Sequence, residues 1–146
     1  MIKTIKMDGR DVSFNASLSW AFVYKDQFGS DPLKVVMPAL ISIYDGSDGG
    51  KVEFNAKTLE RASEHIDLVS FLQILWALAK NADKEIPEPE EWYGKFDTFP
   101  MDDVLREIAP MLAKSCISLK NFQALTSAGH KKAVKKPTSK ASLQAV

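Results

Sequence analysis

The densest group of chemically capable side chains in this 146-residue sequence is Glu85, Glu88, Glu90 and Glu91, set around Pro87 and Pro89 and followed by Trp92. Carboxylates at suitable spacing do acid–base work or hold a cation. Here the two prolines fan the side chains apart, and no glycine-centred calcium loop surrounds them. The group reads instead as a solvated or partner-facing acidic edge. Trp92 either covers the core behind that edge or anchors a partner, because interface hot spots favour tryptophan.

Other candidates carry less. His65 stands beside Glu64 and Asp67, but no cysteine is near and no HxxxH-type spacing is present, so it reads as a surface or capping residue. His130 falls in a segment with no means of holding it in place. The run Asp45-Gly46-Ser47-Asp48-Gly49-Gly50 imitates the start of a calcium loop, yet the position that must supply a bidentate acid is Ala56. No phosphate-cradling GxxxxGK[ST], no GxGxxG and no GxSxG occurs. The single cysteine, Cys116, lies among apolar residues at helical spacing and reads as a small core residue. No disulfide within the chain and no multi-cysteine metal site can be drawn. These absences argue against an enzyme and imply no cofactor or metal.

The elements that must position these residues follow from periodicity. Ile2 to Met7 alternates, Asp8-Gly9 supplies a tight turn, and Val12-Phe14 resumes the alternation, which predicts a β-hairpin. A lone hairpin is marginal, so it must lie on something. A helix is expected over 17–28, with Leu18, Ala21, Phe22 and Phe28 near helical spacing and Gly29 ending it. Asp31-Pro32 looks like a cap followed by proline in the first turn. Leu33 to Tyr44 then reads as a helix that begins again or kinks at Pro38, with a buried strand as the competing reading. The stretch 45–50 is a loop by composition, and Val52-Glu53-Phe54 a short extended piece.

Asp67 to Ala82 carries Leu68, Phe71, Leu72, Leu75, Leu78 and Ala79 at i, i+3, i+4, i+7, with Val69, Ile74 and Trp76 on the flanks. A helix apolar nearly all round is expected to be buried all round, which makes this the central helix. The Pro87–Pro89 corner leads into a short helix from Glu90, with acids at its positive end. A last helix starts near Met101, with Val104, Leu105, Ile108, Met111, Leu112 and Cys116 on one face and a kink or break at Pro110.

Composition is that of a globular chain, 45% apolar and 26% charged, long enough for a core without staples. The N-terminus lacks the apolar core of a signal peptide, and no stretch is long enough for a membrane span, so a reducing cytoplasm is the expected compartment. Net charge is zero, with 19 basic and 19 acidic residues. Lys131, Lys132, Lys135, Lys136 and Lys140 follow Gly129 without an acid, which leaves 14 basic against 19 acidic residues before them, a formal −5. Five lysines without arginine or interleaved aromatics give at most weak, non-specific attraction to phosphates. The expected fold class is α+β, mainly α-helical: an N-terminal β-hairpin packed on a small helical bundle over 1–125, then a flexible, disordered basic tail over 126–146.

One stretch goes beyond pattern. Leu75-Trp76-Ala77-Leu78-Ala79-Lys80-Asn81-Ala82-Asp83, then Ile86-Pro87-Glu88-Pro89-Glu90-Glu91-Trp92 and Phe96-Asp97-Thr98-Phe99-Pro100, resembles the tail assembly chaperones of long-tailed phages and prophages of Gram-positive bacteria. The hairpin around Asp8-Gly9, the Tyr24 to Pro32 junction and Ile43-Tyr44-Asp45-Gly46 extend the resemblance, which runs from the start to about Leu119. It implies a non-catalytic protein that binds the tape measure protein, keeps it soluble and helps recruit tail tube subunits. It also implies a site in the host cytoplasm and absence from the finished virion, with self-association open. Members of this family often have a longer product made by ribosomal frameshifting, with which the paired lysines are compatible. A structural head-to-tail or tail virion protein is the alternative, sharing small size and lack of an active site.

Overall fold

The first fifteen residues form the predicted hairpin because Asp8 and Gly9 both take up positive φ, 53° and 76°, the twist a two-residue turn needs to match its strands. Strand β1 (Ile2–Met7) pairs antiparallel with β2 (Arg10–Asn15) in a two-stranded sheet, with Met7 opposite Arg10 and Ile2 opposite Asn15. One face is apolar, with Met7, Val12 and Phe14 buried, while on the other the Thr4 and Ser13 hydroxyls share a hydrogen bond of 2.8 Å.

This computed structural model describes residues 1–45 and 55–116, all within one compact unit, Met1–Cys116. The expected loop at 46–50, the extended piece at 52–54 and the tail at 126–146 lie outside the described residues, as does His130.

After the hairpin come helices α1 (Trp20–Phe28), α2 (Pro32–Asp45), α3 (Ala56–Ser63), α4 (Leu68–Ala82), α5 (Pro89–Tyr93) and α6 (Met101–Cys116). The fold is α+β and mainly helical, as composition and periodicity predict. Helix α1 starts later than expected and turns a different face inward. Trp20 and Tyr24 are buried, whereas Leu18 and Phe22 are 57% and 74% exposed. Both faces satisfy an apolar helical spacing, and the larger aromatic surface wins because it removes more area from water. Trp20, Tyr24 and Phe28 follow one another at i, i+4, i+8, with ring centroids 6.4 and 4.7 Å apart, and Phe28 meets Trp76 of α4 at 5.6 Å. Gly29 closes α1 at φ 81° by donating its N–H to the Lys25 carbonyl at 2.8 Å.

Asp31 accepts from the Leu33 N–H at 2.9 Å, and Pro32 opens α2, so the cap-and-proline reading holds. Neither Pro38 nor Pro110 ends its helix; α2 and α6 each run through as one element. Leu33 to Tyr44 is therefore helical, as expected, and the competing reading as a buried strand falls away. Pro38 and Lys34 are exposed, so the carbonyl that Pro38 leaves without an N–H can turn to water. Val36, Ala39, Leu40 and Ile43 face the core at helical spacing.

Helix α3 was not legible from apolar periodicity because it buries no residue fully. What sets its start is a reciprocal cap. The Asn55 side chain accepts from the Thr58 N–H at 3.1 Å while the Asn55 N–H donates to the Thr58 hydroxyl at 2.9 Å.

Helix α4 is the centre of the body. Ile74 to Ala79 are all buried, and the hairpin's apolar face and α1 both pack on it. Asn81 donates from Nδ2 to the Asn15 carbonyl at 3.1 Å, and the Ser115 hydroxyl of α6 donates to the Ala16 carbonyl, so the end of the hairpin is tied to both α4 and α6. At its turn, Arg10 donates to the Lys95 carbonyl at 2.7 Å and lies 5.1 Å over the Phe96 ring. No helix among the described residues is long and apolar enough to cross a membrane.

Candidate functional site

The acidic edge is built from the corner that leaves α4. Lys80 donates to the carbonyls of Lys84 at 2.8 Å and Ile86 at 2.5 Å, and Trp76 Nε1 donates to the Pro87 carbonyl at 2.8 Å. The corner is thus stitched to the central helix, and its prolines leave it little freedom to lose. Helix α5 follows, with its Tyr93 hydroxyl donating to the Leu72 carbonyl at 2.5 Å.

This scaffold divides the five candidate residues. Glu88 and Glu90 line one cleft. Glu85 and Glu91 are exposed elsewhere on the same corner and do not line it. Trp92 is only 5% exposed, packed at 4.8 Å on Tyr93 and 5.2 Å on Phe96, with Phe99 against both of those rings. Of its two readings, cover for the core is the one the geometry supports, because a side chain with so little free surface cannot itself anchor a partner.

The cleft, of about 470 Å³, lies between the end of α1, the first half of α4 and α5. Phe28, Leu72 and Tyr93 supply apolar walls, and Val69 stands on its rim, 61% exposed. Gln27 donates from its amide to Glu88 Oε2 at 3.3 Å and so steadies one carboxylate at the mouth.

A second, nearly all-apolar hollow of about 330 Å³ opens on the other side of α4, between α2, α3 and α6, with Leu40, Leu59, Phe71 and Leu105 among its walls. Leu68 borders it and is 62% exposed. The first turn of α4 is therefore an apolar ridge between two hollows. Sequence reasoning placed Leu68 and Val69 inside a helix buried all round; only the second half of α4 is enclosed, because no described element covers its first turn. Asp67 marks that turn as an open helix start, accepting from the Ser70 N–H at 3.1 Å and hydroxyl at 2.6 Å. Those two bonds hold the Asp67 carboxyl below its ordinary value, the side-chain bond contributing most.

No protein-family model, curated protein or solved structure matches this chain. The site must be read from its own geometry. Among the described residues no three His, Cys, Asp or Glu side chains converge as a metal-binding group, and His65 is exposed in the turn before α4.

Two groups give measurable consequences. Burial pushes the Cys116 thiol up to about 11, which leaves little nucleophilic thiolate near neutrality. Native protein is expected to react about a hundredfold more slowly with a thiol-specific reagent than protein in denaturant, and equal rates would contradict the placement of this side chain. Burial also raises the Tyr93 phenol well above its ordinary range. An acid whose folded pKa is raised contributes stability that is intact below its unfolded value, about 10, and is lost as pH rises beyond it. Tyrosinate absorbance from Tyr93 should appear only together with alkaline unfolding. A Tyr93→Phe variant identifies its share of the signal.

Proposed function

We propose that this chain is a non-catalytic tail assembly chaperone of a long-tailed phage or prophage. It binds the tape measure protein, shields apolar strips of that protein until tail tube subunits replace it, and then departs. The observation that supports this reading is the exposed apolar ridge of Leu68 and Val69 between two hollows; Met1, Ile2, Leu18 and Phe22 are exposed as well, but none of them lines either hollow. A contiguous apolar surface on an otherwise well-packed domain is a place where another protein sits. The rigid corner gives that surface a fixed shape, which lowers the entropic cost of binding.

The order of residues from Trp76 through the two prolines to Trp92, on which the resemblance rests, has a structural use here. Trp76 and Lys80 hold the corner, the prolines stiffen it, and Trp92 fills the space beneath. Co-expression with the long helical reading frame expected downstream tests the proposal. The tape measure protein should be soluble and co-purify with this chain, and aggregate without it. Purified particles separate the alternative, since a structural head-to-tail or tail protein stays in the virion and a chaperone does not.

A further inference from the structure

We propose that the cleft between α1, α4 and α5 seats an amphipathic helix of the client that carries lysine or arginine beside its apolar stripe. This assignment rests on the reading of the chain as a client-binding protein and names the chemistry its client must offer. The walls explain why the occupant is a helix. They are three helices whose backbone groups are largely used within themselves, so the cleft offers side chains and no free strand edge to extend. Phe28, Leu72 and Tyr93 provide apolar depth, and Val69 gives a ridge over which a helical stripe can lie.

Charge decides what flanks that stripe. Glu88 and Glu90 are exposed at the mouth, and among the described residues no lysine, arginine or histidine lines the cleft. The ion pairs among the described residues, Lys3–Glu107 and Arg106–Asp103, lie elsewhere and involve neither carboxylate. A client segment that covered these two groups without cations would strip water from them and return nothing. Lysine or arginine can lay its methylenes along the apolar wall and leave its charge at the wet rim, beside a carboxylate. The excess of acidic residues before residue 130 acts in the same direction over longer range.

The probe is a fluorescent helical peptide of about five turns, leucine along one stripe and lysine beside it, with a control in which glutamate replaces every lysine. Anisotropy with the full-length protein at low salt should show the lysine peptide binding at least about tenfold more tightly than the control. Glu88→Gln with Glu90→Gln should weaken it about three- to tenfold and flatten its salt dependence. Val69→Ser should cost about tenfold through lost apolar contact. Glu60→Gln with Glu64→Gln removes the same charge from exposed positions on α3 and at its C-terminal cap and should leave binding within about twofold.

Equal binding of the two peptides, or an equal loss from the α3 variant, overturns the assignment. So does self-association of the free protein that Val69→Ser abolishes, which would give the cleft to a second copy. A tape measure protein that still co-purifies with variants unable to hold the peptide would likewise overturn the cleft while leaving the chaperone reading standing. Failure of the unaltered chain to co-purify with it would instead strike that reading alone.

Discussion

Phe14→Ala is expected to lower the stability of the body by about 3–5 kcal/mol, the usual range for truncating a fully buried aromatic side chain. Phe14 has no exposed surface and sits on the apolar face of β2, which packs on α4. Two polar ties remain in the variant, the Asn81 amide and the Ser115 hydroxyl on the backbone of Asn15 and Ala16. Each such bond contributes only about 0.5–1.5 kcal/mol net, too little to replace the lost packing. Since a domain of this size has about 5–15 kcal/mol in total, the variant should unfold at much lower urea concentration. Hydrogen exchange should show the hairpin amides losing protection first, because a detached two-stranded hairpin does not hold itself together. A midpoint near that of the unaltered protein would mean that the hairpin is an ornament on an independent helical bundle.

Trp92→Ala should cost a similar amount, about 3–5 kcal/mol, and for a reason unrelated to partners. Trp92 lies under the corner in a cluster with Tyr93, Phe96 and Phe99, and Arg10 from the hairpin turn caps that cluster over Phe96. Removing the indole leaves a cavity that the stiff Pro87–Pro89 segment cannot collapse into. Thermal or urea unfolding measures the loss. If the variant kept its stability and lost only client binding, Trp92 would act as a surface anchor and not as cover for the core. Val69 provides the contrast: exposed as it is, its replacement by serine should change stability little and binding much.

Asp8-Gly9 admitted essentially one local conformation, and Asp31-Pro32 marked a helix start through a side chain that reaches the backbone N–H two residues on. Such signals are local and need no knowledge of the rest of the fold. The face of α1 was a different matter. Leu18 and Phe22 fit a helical stripe as well as Trp20 and Tyr24 do, and only the presence of α4, far along the chain, selects between them. The cleft was harder still. Glu88 and Glu90 were visible as an acidic group, but Gln27, Phe28, Val69 and Leu72 come from two other helices, and no spacing within any one element brings them together. Helix α3 had a signal in Asn55 and Thr58 that apolar counting passes over.

The ties between Asn81 and Asn15 and between Ser115 and Ala16 span 66 and 99 residues of chain, which makes the order of synthesis matter. The hairpin leaves the ribosome before α4 and α6, the helices that shelter Met7, Val12 and Phe14. At about 5–20 residues per second, synthesis of the hairpin and of the end of α6 are separated by about 5–20 seconds. During that interval the nascent chain displays the same kind of apolar surface that the finished protein is proposed to cover on its client. Until α4 and α6 have been made, Met7, Val12 and Phe14 have no helix to pack on, so the nascent hairpin is more apolar on its surface than the folded chain it becomes.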